Sequence, residues 1–137
     1  MTILRGIRNN NPGNIKELPG DVTLWKGERA TDDDPVMEEF ESPEYGIRAI
    51  ARIIRSYYTH YHINTIRGII DRWAPPIENN TKAYIDHVSN KCGVGADQVV
   101  DPRSLDIIVP LIEAIILHEN GQQPYDKETI LTGVKLV

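Results

Sequence analysis

The residue whose type and position could do chemistry is Glu119, in His118-Glu119-Asn120-Gly121. The segment before it, from Leu105 to Leu117, is among the most apolar in the chain. Ile108, Ile112, Ile115 and Ile116 recur there at helical spacing and mark a core-facing stripe. Glu119 falls three and four residues beyond Ile116 and Ile115, so it belongs to that stripe. Gly121 supplies a helix stop. The pattern places one carboxyl group at the end of a buried helix, between core and surface. Desolvation there disfavours the charged form and raises the pKa, which suits a general acid near neutral pH. The alternative for the position alone is a helix-ending glutamate whose head group reaches water along its stem.

Other chemistries find little support. No Gly-rich phosphate loop, HExxH motif or serine nucleophile elbow is present. His60 and His62 fit no familiar ligand spacing, and no metal or organic cofactor is expected. Cys92 is the single cysteine, which excludes an internal disulfide and a cysteine-based metal site. It reads as a small apolar side chain, and five residues after His87 it is off that residue's helical face. A net charge of -5 argues against dedicated nucleic-acid binding. No apolar run is long enough to span a bilayer, and the first residues carry no signal-peptide pattern. What remains is carboxylate chemistry, with Glu119 as proton donor and acids nearer the N-terminus as helpers.

The elements that must position these groups are mainly helical. With 137 residues the chain suits one domain, 1–137. Asn-rich residues 5–15 read as an ordered loop. Val22 to Lys26 and Val36 to Phe40 are strand candidates for a small hairpin around the turn at Thr31 to Pro35. Ser42 and Pro43 open a helix with Ile47, Ile50 and Ile54 on its apolar face. Arg48, Arg52 and Arg55 form a separate basic stripe on it, expected to be solvated and ion-paired. Thr65 to Trp73 is a second helix, with Trp73 completing an apolar stripe and so expected in the core. Asn80 or Thr81 caps a third, with Tyr84, Ile85 and Val88 inward and Gly93 past its end. Asp101 or Ser104 caps the apolar helix, which Pro110 should kink or divide. Asp126 opens a last helix expected to stop near Thr132, before Gly133.

Several motifs carry a resemblance. Arg8-Asn9-Asn10-Asn11-Pro12-Gly13-Asn14-Ile15, Trp25-x-Gly27, and the run from Phe40 through Ser42-Pro43 and Tyr45-Gly46 to Ala49 resemble a family of small phage proteins. So do the segment from Arg72 to Thr81 with Tyr84, and His118-Glu119-Asn120-Gly121. The resemblance runs from about Arg5 to Tyr125. Members are virion structural proteins or cell-wall lysis proteins with a lysozyme-like domain. The chain is also similar to the peptidoglycan glucosaminidases and lytic transglycosylases of the lysozyme superfamily, whose catalytic helix ends in Glu-Ser-Gly. Here Asn10 to Lys16 resembles their Asn-rich segment and Glu39-Phe40-Glu41-Ser42 their helix opener, but the catalytic helix end lies C-terminal. The resemblance therefore implies a mainly α, lysozyme-like domain with a small β-hairpin, circularly permuted. Asn120 departs from the usual serine.

Residue by residue, the resemblance implies Glu119 as general acid. Asp34 is its first candidate for a second catalytic carboxylate, followed by Glu39 and Asp33. An inverting enzyme would use that acid to activate water, whereas a transglycosylase, using the muramic acid 6-hydroxyl, would need none. Asn11 and Asn14 are implied sugar-binding residues, and Tyr84 and Tyr125 implied groove residues. The implied partner is bacterial peptidoglycan and the implied state a monomer. The protein would reach the periplasmic wall from the host cytoplasm before lysis or from the virion. The alternative within the family is a non-catalytic virion protein that binds peptidoglycan or capsid partners.

Overall fold

A computed structural model describes residues 3–17, 24–31, 33–75 and 80–137. Six helices account for its regular structure: α1 (Arg5–Arg8), α2 (Pro43–Tyr61), α3 (Ile66–Trp73), α4 (Thr81–Cys92), α5 (Leu105–Asn120) and α6 (Lys127–Lys135). The expected mainly α class is what the chain adopts. Thr65 and Asn80 cap α3 and α4 by accepting from the main-chain N–H of Gly68 and Ala83, and Asp126 caps α6 through Thr129. Ser42 and Ser104 precede α2 and α5 without a side-chain capping bond. Gly93 and Gly121 end α4 and α5 in the left-handed conformation.

The core is built largely from isoleucine. Ile47, Ile50 and Ile54 of α2, Ile66, Ile69 and Ile70 of α3, and Ile112, Ile115 and Ile116 of α5 are all fully buried. Each such side chain contributes about 1.5–3 kcal/mol relative to exposure. α6 packs along α2, and α4 packs on α5. α5 is therefore covered by other elements, as its nearly continuous apolar sequence requires.

Two expectations are corrected, the hairpin and the end of the last helix. The small hairpin does not form. Among the described residues there is no strand, only isolated antiparallel bridges, Lys16 with Met37 and Glu28 with Phe40. Residues 22 and 23 of the first strand candidate lie outside the described residues. Residues 36–40 instead divide their hydrogen bonds between two flanking loops. Glu38 N donates to Ile15 O and Glu17 N to Val36 O on one side, while Arg29 N donates to Glu39 O and Glu41 N to Gly27 O on the other. Side chains take further main-chain groups, Asp34 from Val36 N and Met37 N, and Asn11 to Glu38 O. No ladder is left to propagate.

Pro110 lies inside α5, which continues as one element across it. α6 runs through Gly133 rather than stopping before it. A Cβ on Gly133 would lie 2.6 Å from Ile47 Cγ2, so this glycine allows close helix approach and is no terminator. Gly46 has a similar role at the start of α2, where a Cβ would meet the main-chain oxygen of Asn10 at 1.9 Å. Gly46 and the Asn-rich loop are thus two halves of one contact. In that loop α1 is followed by Asn10 and Asn14, both at φ 51°, a region that asparagine tolerates better than most residues.

Candidate active site

Glu119 sits in the last turn of α5, half-buried, where the apolar stripe meets the surface. It borders a cleft of about 610 Å³. One wall is the N-terminal loop, through Gly13, Asn14 and Lys16. The other is helical, through Ile53 and Tyr57 of α2 and Trp73 at the end of α3. The loop is fastened to the end of α5 from both directions. Asn14 Nδ2 donates to the Glu119 carbonyl at 3.0 Å, and Asn120 Nδ2 donates to the Pro12 carbonyl at 2.7 Å.

The Glu119 carboxyl has a shaped environment. Tyr84 Oη of α4 donates to its Oε2 at 3.3 Å. Tyr84 is itself 4% exposed and stacks on His118, with ring centroids 4.0 Å apart. Burial raises the Glu119 pKa above the ordinary carboxylate value. Hydrogen bonds from Asn14, Tyr84 and Trp73 and the charge of Lys16 offset part of that rise. Tyr84 is held as a neutral phenol by burial and by the neighbouring Glu119 charge. Burial, with His87 nearby, lowers the His118 pKa and favours a neutral imidazole on the tyrosine ring. The arrangement makes the Glu119 carboxyl hold its proton more tightly than a solvated carboxyl would, at the edge of the cleft.

The other expected residues divide sharply. Asn14 lines the cleft, and Tyr84 supports Glu119 from behind. Asp34 and Glu39 face a different pocket, of about 390 Å³, with Arg8, Asn9 and Arg29. Asp34 is 4% exposed and accepts from Arg5 Nε at 2.5 Å, from Arg5 Nη2, from Asn9 at 2.9 Å, and from Val36 N and Met37 N at 3.0 Å each. The Arg5 guanidinium, helped by those N–H donors, holds its carboxyl well below the usual carboxylate range. So many donors leave it no lone pair with which to activate a water. Glu39 accepts from the Asp34 N–H and pairs with Arg29 at 3.3 Å. Asp34 ties α1 to the segment before α2, and Glu39 ties Arg29 to that same segment. Asp33 is exposed on the rim of the same pocket.

Asn11 is fully buried and offers nothing to a ligand. Its amide donates to Ile15 O and Glu38 O and accepts from Ile15 N. Tyr125 packs against the core, away from the cleft lining, and burial keeps it a neutral phenol. Lys16, Tyr57 and Trp73 are cleft residues that sequence reasoning did not select. Lys16 ends the quoted Asn-rich segment, and Trp73 packs on the core with one part while lining the cleft with another. Arg72 lies over the rings of Tyr57 and Tyr61, at 5.4 and 3.9 Å from their centroids.

One acidic group could interest a divalent cation. Glu17, Glu28 and Glu38 bring one carboxylate oxygen each within 4.8 Å of the others, although Glu28 Oε2 already accepts from Trp25 N. Exposed acidic clusters are common without an ion. No helix among the described residues is long and apolar enough to cross a membrane.

No protein-family profile matches the chain. It is similar to Protein P5 of Pseudoalteromonas phage PM2, with 46% identity over 129 residues. The similarity spans 94% of this chain and 79% of that protein.

Proposed function

The chain belongs to the phage protein family that includes Protein P5 of Pseudoalteromonas phage PM2, and from that premise we propose that it is a peptidoglycan-degrading glycosidase with Glu119 as general acid. The observation that carries this reading is the half-buried Glu119 carboxyl, its pKa raised by burial, at the edge of a 610 Å³ cleft. The cleft offers what a polysaccharide strand uses: an aromatic surface at Trp73 and Tyr57, a cation at Lys16 and an amide at Asn14.

Among the described residues lining the cleft, Glu119 is the one carboxyl group. Asp34 and Glu39 are committed to Arg5 and Arg29. This favours the transglycosylase form of the reaction over water activation by a second acid. Glu119 gives its proton to the glycosidic oxygen, and the bond from the muramic acid C1 to that oxygen breaks. The 6-hydroxyl of the same sugar then bonds to C1 and returns its proton to the Glu119 carboxylate. The product is an anhydro sugar, with no net consumption of water. Tyr84 keeps the carboxyl oriented through both proton transfers. A phage protein of this kind would meet the wall from the virion or from inside the host before lysis.

The test is Glu119→Gln in zymography on purified cell walls, with mass analysis of the released muropeptides. The substitution should leave the fold intact and reduce clearing by about 10²–10⁴-fold, the usual contribution of a general acid. Wild-type digests should contain anhydro ends. Undiminished clearing by the variant would remove Glu119 from the reaction, and reducing ends would require a water-activating base. Binding to walls without clearing by the wild-type chain would make it a glycan-binding virion component instead.

A further inference from the structure

The cleft beside Glu119 reaches α2. Ile53 and Tyr57 line it, and the same two side chains line a second pocket of about 340 Å³ with Trp25, Arg52, Arg55 and Ser56. The two cavities share a wall at Ile53 and Tyr57 and so lie side by side on α2. Their chemistry differs. The second pocket sets the indole of Trp25 beside two guanidinium groups spaced three residues apart on one face of α2.

Those arginines are available. The basic stripe on α2 was expected to be solvated and ion-paired, yet no ion pair among the described residues includes Arg52 or Arg55. Both are exposed at the pocket, in a chain of net charge -5. A local cationic pocket on an acidic protein selects for an anionic group at one place without attracting polyanions over the whole surface. A planar guanidinium matches a carboxylate in a two-pronged hydrogen-bonded pair.

Building on the glycosidase reading, we propose that the Trp25–Arg52–Arg55 pocket is an accessory subsite of the Glu119 cleft that takes a carboxylate carried by the glycan strand. Trp25 provides the apolar surface for the sugar or peptide stem, and Arg52 and Arg55 pair with the acid. Muramyl residues supply that acid in two ways, as the lactyl carboxylate of a bare strand or as the carboxylates of a stem peptide. The pocket thereby distinguishes wall polymer from neutral chitin-like chains of the same backbone.

The experiment measures binding calorimetrically with the full chain carrying Glu119→Gln, so that nothing is cleaved. Three probes are used: a neutral N-acetylglucosamine hexamer, a peptide-free glycan bearing lactyl carboxylates, and a glycan bearing stem peptides. Removing both cations (Arg52→Ala with Arg55→Ala) should weaken the charged probes about tenfold and flatten their salt dependence. The neutral hexamer should bind unchanged, which also reports an intact fold. The charged probe that loses more identifies the carboxylate source. Equal affinity of the charged probes with and without the arginines would overturn the subsite, as would an equal loss for the neutral hexamer. The outcome is separable from the catalytic reading: a wild-type chain that never clears walls but shows this arginine-dependent binding keeps the subsite and loses the glycosidase.

Discussion

The side-chain amide of Asn14 donates to the main-chain carbonyl of Glu119 at 3.0 Å, joining positions 105 residues apart. The loop wall of the cleft is therefore tied to Glu119 at the end of α5. Asn14→Gly tests that tie cleanly, since glycine accepts the φ of 51° without strain. The variant should lose about 1 kcal/mol of stability, read by thermal unfolding. Its wall clearing should fall by a larger factor than that instability accounts for. Unchanged clearing would reduce Asn14 to a purely structural fastening between the loop and α5.

Tyr84 acts on the ionised form of Glu119, because its hydroxyl donates to Oε2 and so lowers the carboxyl pKa against the rise from burial. Tyr84→Phe removes that donor while keeping the ring on His118. The Glu119 pKa should rise further, and the alkaline limb of the activity profile should move to higher pH. A limb that stays in place, or moves to lower pH, would mean that another group sets it.

Burial of Glu119 also predicts the pH dependence of stability. Its folded-state pKa is raised, so the folded chain holds this proton more tightly than the unfolded one. That contribution is complete below the ordinary glutamate value of about 4.3 and is lost as pH rises through the folded-state value. Glu119→Gln carries no such penalty. Its melting temperature should exceed that of the wild type at pH 8, and the difference should close toward pH 4. A gap independent of pH would place the carboxyl in water.

Asp34 predicts the opposite slope. Arg5 and three other donors, Val36 N, Met37 N and Asn9, hold its pKa below the unfolded value, so its contribution is present above about pH 3.9 and lost on acidification. Asp34→Asn turns an N–H group toward Arg5 and Asn9, which are themselves donors. The cost should be of order 2 kcal/mol from buried polar groups left unmatched. Variant that remains folded should still clear walls. Loss of clearing at wild-type stability would return Asp34 to the chemistry.

Much of this was legible in the chain because it rests on periodicity. The isoleucine spacing of α2, α3 and α5 marked the core, and the same spacing put Glu119 half in and half out of it. Asn11, Asn14, Asp34 and Glu39 could not be sorted that way. Each is a polar residue in a loop, and whether it serves a ligand or the main chain depends on partners 4 to 105 residues away. Asn11 and Asp34 spend their capacity on the loop's own N–H and carbonyl groups, which is also why no hairpin forms there. Gly133 misled for a related reason: its missing side chain makes room for Ile47, a contact between helices that no local pattern displays.

The link between Asn14 and Glu119 gives the cleft a schedule. At 5–20 residues per second, about 5–20 s of translation separate the two positions. Until the later one has emerged from the ribosome, the asparagine loop has no acid to face. The cleft is assembled late, by contacts between the two ends of the sequence, so a message cut short before codon 119 yields a polypeptide with every loop-side contact residue and no carboxyl group at the cleft edge.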